Sequence, residues 1–377
     1  MFLLAIRQLQ NEPIRTLLTG LAISTVIAVI LILRGFEKGL YLQLESVVLD
    51  RGGDLIVSQS GIKNFLAVRS SLRQLSRREI ESIPGVINAH PITTLLAIYE
   101  QNDNKTPIAI IVYDTLGGPM NIVSGSFIEE ENEIIIDQSL AKEYNLKPDD
   151  EFVVYDFLFR VSGITKNSAA FFTPLVFINY DGLIDFFIES EIAPDITTFP
   201  LLSFLLVELK PPASPENVNN LIENNIGDVD VFTPQQLANN DVQLGKDLFG
   251  PVMVLLVSIA YVIGLLVVGL IIYSDVRGRL RTFGVLKALG FSMNYISAAV
   301  IIQNLMLLII AFPIGILLSM LISNIIEINM PLYLLPVLDT GGLSITLLAS
   351  VLFTIFGSVL PLRLIAKTDP TIAFQGN

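Results

Sequence analysis

Side chains able to do chemistry are few in this chain. There is no cysteine and a single histidine, His90. A His/Cys zinc set is therefore excluded, as is any Cys–His or Ser–His–Asp pairing that does not use His90. His90 sits in Val86-Ile-Asn-Ala-His-Pro91, a turn-like setting that suits a structural or solvated imidazole. Glu129-Glu-Glu-Asn-Glu133 gathers carboxylates. Calcium loops instead space their oxygens around a wrapping turn, usually with a glycine inside, so these consecutive acids read as a solvated loop. No G-x-x-x-x-G-K-[ST] occurs, so no Walker A loop cradles nucleotide phosphates. The sequence assigns no catalytic residue and no metal site. What remains is basic. Arg277-Gly-Arg-Leu-Arg-Thr-Phe-Gly-Val-Leu-Lys-Ala-Leu-Gly-Phe-Ser292 carries Arg277, Arg279, Arg281 and Lys287 among three glycines, Gly278, Gly284 and Gly290. Such a segment reads as a tight basic turn by which another molecule can hold the chain.

The elements that position this segment are strongly apolar. The chain has 377 residues, 52% of them hydrophobic, and a mean hydropathy of +0.65. Leu17–Leu33, Pro251–Tyr273, Ile296–Ile326 and Leu343–Leu362 contain no Lys, Arg, Asp or Glu. A membrane span needs roughly 20 apolar residues to cross about 30 Å of hydrocarbon. The expected fold class is thus a membrane protein with four transmembrane α-helices, arranged one then three, and a large α+β extracytoplasmic domain inserted between helices 1 and 2. The first run has no small-x-small cleavage pattern after it and reads as an uncleaved signal anchor.

Charge sets the expected orientation. Arg7, Arg15, Arg277, Arg279, Arg281, Lys287, Arg363 and Lys367 fall on one side, and the loop between the third and fourth spans holds only Glu327 and Asp339. The positive-inside rule places both termini in the cytoplasm. The expected order is a cytoplasmic amphipathic helix (1–16), a first span (17–34), an extracytoplasmic domain (35–249) and a second span (250–273). A cytoplasmic turn (274–295), a third span (296–326), a short loop (327–342), a fourth span (343–362) and a cytoplasmic tail (363–377) follow. The inserted domain holds 31 acidic against 14 basic residues, a net of about −17, which argues against nucleic acid as a partner.

Within that domain, Asp54–Ser58, Ala109–Tyr113, Glu151–Val161, Pro174–Asn179 and Ser203–Leu209 read as strands. Ser76-Arg-Arg-Glu79 reads as a capping box opening a short helix that stops at Pro84-Gly85. Ser139–Tyr144 and Ser214–Asn225 read as helices. Two lobes are possible, with Gly117–Ile128 and residues 192–200 the loosest stretches. Residues 233–249 carry a helical pattern that can run unbroken into the second span. In the first span Gly20, Ser24 and Ala28 stack small residues on one face, which suits either packing within one subunit or a dimer contact. Gln303 and Asn304 lie inside the third span, where polar groups can bond between helices.

Three stretches resemble a known family. Ala5-Ile-Arg-Gln-Leu9 with Arg15-Thr-Leu-Leu-Thr-Gly-Leu-Ala-Ile23 is similar to the start of the first span of FtsX-like, MacB-type ABC transporter permeases. Arg281-Thr-Phe-Gly-Val-Leu-Lys-Ala-Leu-Gly290 resembles their turn between spans two and three. Pro361-Leu-Arg-Leu-Ile-Ala-Lys-Thr-Asp-Pro-Thr-Ile-Ala373 resembles their closing tail. The matches cover roughly 50 residues, and the one-plus-three layout covers the chain.

The resemblance implies a dimer, with a second permease copy or a paralogue, in the bacterial inner membrane and bound to two ABC ATPase subunits. ATP and Mg are then held by the partner ATPase, with no cofactor in this chain. ATP-driven closure is relayed to the extracytoplasmic domain, an arrangement called mechanotransmission. On this sequence it implies that Arg277, Arg279, Arg281, Phe283, Gly284, Leu286, Lys287 and Gly290 couple to the ATPase. Phe283 and Leu286 would fill an apolar groove, the cations would meet acids, and Gly284 and Gly290 would permit the turn. Thr282 stands where many family members carry an acid, so the salt bridge that acid would make to the ATPase is not carried over to this sequence. The absence of a fused ATPase resembles the stand-alone DevC or LolC/LolE types. The implied function is export of a lipid, lipoprotein, peptide or drug, with a periplasmic membrane-fusion protein as a further partner. A signalling permease that activates an extracytoplasmic hydrolase is the alternative, and a membrane-anchored enzyme with its site in residues 35–249 is a third.

Overall fold

The computed structural model describes residues 13–66, 68–101, 104–191 and 202–367. The amphipathic stretch expected over residues 1–16 lies mostly outside the described residues, as do the loose stretch at 192–200 and most of the tail. Four helices are long and apolar enough to cross a membrane: Pro13–Leu49, Pro234–Gly278, Met293–Asn329 and Thr340–Ala366. The chain divides into two compact units, and the division falls within the first three of these helices. One unit contains residues up to Lys38, Pro251–Ile326 and the chain from Leu335, and the other contains Gly39–Gly250 with Glu327–Leu334.

The first unit is a bundle. Ile27, Ile30 and Leu31 of the first long helix pack with Val268 and Ile272 of the second, Leu307 and Ala311 of the third, and Phe353 of the fourth. The outward faces stay apolar as well. Ile263, Leu266, Leu270, Ile309 and Leu348 are each more than half exposed, as befits helices whose solvent is hydrocarbon. Small residues let the helices approach closely. A Cβ on Gly357 would lie 2.9 Å from the Cα of Gly269, and one on Gly315 would lie 3.0 Å from the Ser24 carbonyl oxygen. Asn304 donates 3.0 Å back to Val300 of its own helix rather than across to another.

The second unit is built on a mixed sheet. Its strands are β1 (Leu55–Gln59), β2 (Val86–Gln101), β3 (Asn104–Tyr113), β4 (Ile122–Gly125), β5 (Glu133–Asp137), β6 (Glu151–Val154), β7 (Phe157–Thr165), β8 (Ala169–Ala170), β9 (Thr173–Asn179), β10 (Phe204–Leu209) and β11 (Val229–Phe232). The order is β11-β1-β10-β2-β3-β9-β5-β7-β4, with β6 alongside β2 and β7 and β8 alongside β9. Strand β2 joins two lobes. Its first half pairs with β10, and from Ile92 onward it pairs with β3 over ten residues to Gln101↔Asn104. Helices Leu75–Glu81 and Pro215–Asn225 cover one end of the sheet. Gln138–Glu143 and Tyr180–Glu189 cover the other, over a core of Ile110, Ile134, Phe152, Phe159 and Val176.

Several local expectations change. His90 lies inside β2, not in a turn. It is 8% exposed, with Nε2 3.0 Å from Glu208 Oε2 and Nδ1 2.8 Å from Thr115 Oγ1. Ser76 sits inside helix Leu75–Glu81, whose N-cap is Gln74 with no side-chain cap bond, so the expected capping box does not form. Glu151–Val161 is not one strand but a hairpin, β6 then β7, turning at Tyr155 with φ +57°. Glu133 leaves the solvated acidic loop: it is 6% exposed, bonded to Arg160 at 2.7 Å and to the backbone N–H groups of Glu129 and Glu130.

Arg51, 2% exposed, donates to the carbonyls of Gly117 and Gly118 at 2.6 and 2.9 Å and lies over the Phe177 ring. Burial pulls its pKa down to about 10. It ties the loop after β3 to the end of the first long helix, within this unit.

Candidate functional site: the basic connector

The basic segment is a helix, not a tight turn. The second long helix runs to Gly278, and after a break at Arg279 a short helix, Leu280–Ala288, leads to Gly290. Gly290 adopts φ +86°, a conformation that favours glycine, and it supplies the one sharp reversal before Met293. Gly284 lies within the helix and is buried, so it serves packing rather than turning.

The cations divide by partner. Asp275 Oδ1 accepts Arg15 Nε at 3.2 Å and Arg279 Nη2 at 3.3 Å. Arg15 also donates to the carbonyls of Ser274 and Asp275, both at 3.0 Å, at the C-terminal end of the second long helix, where a cation is favoured. Arg279 is 8% exposed. Lys287 Nζ donates to the carbonyls of Ile365 and Ala366 at 3.3 and 3.1 Å, capping the last helix, Val359–Lys367. These three cations join the ends of the bundle's helices. Arg277 and Arg281 face outward.

The apolar residues divide in the same way. Phe283, expected to fill a partner's groove, is 3% exposed and packs in the bundle core with Val276, Ile296 and Ile365. Leu286 rests against the same cluster. The outward face is instead Arg281, Thr282, Val285, Ala288 and Leu289, spaced by three and four residues as one side of a helix must be. Leu289 is 70% exposed, and Val285 and Phe291 are each 39%. Sequence reasoning missed this face, although its helical period was legible from Arg281 to Leu289.

The small-residue stripe is taken up within the chain. Ser24 is fully buried and its hydroxyl bonds to the carbonyls of Gly20 and Ala311, each at 2.8 Å. Ala28 is 1% exposed, and Gly20 faces Leu307. Gly20 and Ser24 therefore pack against the third long helix, and Ala28 is buried within the bundle. Among the described residues no group of His, Cys, Asp and Glu could hold a metal ion.

Residues 16–225 match the family described as MacB-like periplasmic core domain, and residues 254–370 match the FtsX-like permease C-terminal family. The chain is an FtsX-like permease with a MacB-like periplasmic core domain. It is 24% identical over 380 residues to an uncharacterized ABC transporter permease of Mycobacterium tuberculosis, covering all of both chains. It is 23% identical over 375 residues to a putative hemin transport system permease protein, HrtB, of Staphylococcus epidermidis, covering 99% of each. Among solved structures it is similar to the periplasmic region of MacB from Actinobacillus actinomycetemcomitans. That similarity has 10% identity and a TM-score of 0.36 and covers 51% of this chain and 94% of that one.

The FtsX-like permease is a multi-pass membrane protein with an extracytoplasmic domain, and it is the permease subunit of an ABC transporter, a class of subunit that lacks a nucleotide-binding domain and works with an ATPase. The family carries no cofactor of its own.

Proposed function

We propose that this permease is the membrane subunit of an exporter of the mechanotransmission type, driven by two copies of a separate ATPase that dock on the basic connector. The observation that carries the reading is the outward face of helix Leu280–Ala288. Arg281 beside exposed Val285, Ala288 and Leu289 is a surface with an apolar centre and a basic edge, the composition of a docking helix. Arg279 ties the start of that helix to Asp275, which Arg15 also holds, and Lys287 ties its end to the last helix, so a push on it reaches the first, second and fourth long helices. The first two long helices each contribute residues to both units, which gives the push a covalent path toward the extracytoplasmic domain.

The positive-inside rule supports a cytoplasmic position for the connector and both termini. The cargo class is apolar or amphipathic: a lipid, lipoprotein, peptide, drug or, as named for the staphylococcal relative, hemin. A second permease copy or paralogue pairs along a face other than Gly20, Ser24 and Ala28. A periplasmic membrane-fusion protein completes the pathway across the envelope.

The test is affinity purification of the tagged chain from its native membranes in mild detergent, followed by mass spectrometry. An ATP-binding subunit together with a membrane-fusion protein is the expected outcome. An ATPase with a hydrolase in place of the adaptor would shift the reading to signalling. The double variant Arg281→Glu, Leu289→Asp should insert normally and lose at least about 90% of the bound ATPase, a coupling loss of roughly 1.4 kcal/mol or more. Full ATPase recovery with that variant would remove the connector from the interface.

A further inference from the structure

The first two long helices meet around a cation at the opposite end of the bundle from the basic connector. Arg34 directly follows the charge-free run Leu17–Leu33 of the first helix, and its side chain reaches across to the second. Its Nε donates to Tyr261 Oη at 2.8 Å, and its guanidinium carbon lies 5.6 Å from the centre of the Tyr261 ring. Tyr261 is ten residues past Pro251, about 15 Å of helical rise inside the end of the span that joins the extracytoplasmic unit. Phe353 of the fourth long helix meets that ring edge-on, with centroids 6.1 Å apart. Among the described residues no carboxylate forms an ion pair with Arg34. Asp339, which caps the fourth long helix, accepts the Gly342 N–H at 2.8 Å instead.

We propose that Arg34 and Tyr261 bind the phosphate of an anionic phospholipid, held between the first and second long helices at the extracytoplasmic end of the bundle. The count of donors carries the inference. Among the described residues the two Nη groups of Arg34 have no acceptor. The Tyr261 hydroxyl accepts from Nε and so keeps its own hydrogen to donate, again with no acceptor among those residues. Three donors thus sit together at a depth where bulk water does not answer them and an unmatched polar group is costly. An ionised side chain at such a depth marks a site for a partner of opposite charge. A guanidinium matches phosphate in two-point contact, and the hydroxyl supplies a third bond to the same group. The bilayer selects the bearer of that phosphate. An anion that enters hydrocarbon needs an apolar body, and Leu255 and Val262, 59% and 57% exposed on the flank of the second helix, offer acyl chains a wall. One net negative charge balances one arginine, whereas a zwitterionic headgroup brings a cation of its own to compete with Arg34.

The site is independent of ATPase coupling, and its test contains no ATPase. The chain has no tryptophan, so Val262→Trp gives the full-length protein in lipid nanodiscs a sole fluorescent reporter beside Tyr261. The probes are phosphatidylglycerol and phosphatidylcholine brominated at the same acyl position, each at equal mole fraction in a phosphatidylcholine bilayer. Bromine quenches indole on contact, and both probes meet the reporter as bulk lipid, so the readout is the preference for phosphatidylglycerol. A preference of about tenfold is expected, the scale of bonds to a charged group. Arg34→Gln should abolish it. Tyr261→Phe, which keeps the ring against Phe353 and removes one donor, should lower it about threefold. Unlabelled phosphatidylglycerol should compete for the site and oleate should not. Equal quenching by the two headgroups, a preference unchanged in Arg34→Gln, or competition by oleate as strong as that by phosphatidylglycerol would overturn the proposal.

Discussion

At the scale of single residues, composition showed which side chains were present but not which partners they had. The eight cations expected on one side look equivalent in sequence. In the bundle, Arg279 and Arg15 share Asp275, Lys287 caps the last helix, and Arg277 and Arg281 face outward. The partner Asp275 precedes Arg279 by four residues, a pairing legible once the segment is read as helix rather than turn. Asp137 shows the same gap between type and setting. It caps helix Gln138–Glu143, accepting the Ser139 and Ser168 N–H groups at 2.8 and 3.0 Å, and it is 1% exposed. Burial outweighs those bonds and raises its pKa from 3.8 to about 6. The folded protein therefore binds this proton more tightly than the unfolded chain does. Its contribution to stability is greatest below about pH 4 and falls as pH rises toward 6, a loss on the order of 3 kcal/mol. The expected outcome is that Asp137→Asn flattens the pH dependence of the extracytoplasmic unfolding transition between pH 4 and 6, read by calorimetry of the full chain. An unchanged slope would assign that dependence to other carboxylates.

At the scale of elements, the four long helices were legible because a charge-free run of about 20 residues has few alternatives to spanning a membrane. The continuation of the second helix back to Pro234 was legible from its helical pattern. Strands were harder. His90-Pro91 reads as a break, yet Pro91 fits within β2 opposite Leu205, so one strand of 16 residues was not visible as one. The β6–β7 turn carries no glycine, only Tyr155 and Asp156, so two strands read as one. Helix spacing was hidden for a different reason: sequence shows that Gly269 and Gly357 are small, not that they face each other. A Cβ at Gly357 would meet the Gly269 backbone at 2.9 Å, and a backbone cannot rotate aside as a side chain can. Gly357→Leu should force the second and fourth helices apart and cost roughly 1–3 kcal/mol, seen as a lower thermal midpoint in detergent. Gly227→Ala, where the added Cβ meets nothing within 4 Å, is the matched control. Equal midpoints for both variants would refute the contact.

At the scale of the whole molecule, the order of units was legible and their internal design less so. An acidic block between a first apolar run and three later ones predicts an inserted domain, and the family match over residues 16–225 agrees with it. That the two lobes share one sheet through β2 could not be read from local pattern, because strand pairing across more than 100 residues leaves no short-range signal. Charge asymmetry makes the remaining whole-molecule prediction. Moving a basic connector across the membrane is costly, so the end of the bundle bearing Arg277 and Arg281 should stay inside the cell and the acidic unit outside. The chain contains no cysteine, so single substitutions report side directly. Asn220→Cys, exposed on helix Pro215–Asn225, should react with a membrane-impermeant maleimide in cells whose outer barrier has been opened. Leu289→Cys, 70% exposed beyond helix Leu280–Ala288, should react only after the cytoplasmic membrane is also permeabilised. Labelling of Leu289→Cys from outside would invert the topology, and with it the side from which an ATPase could reach the connector.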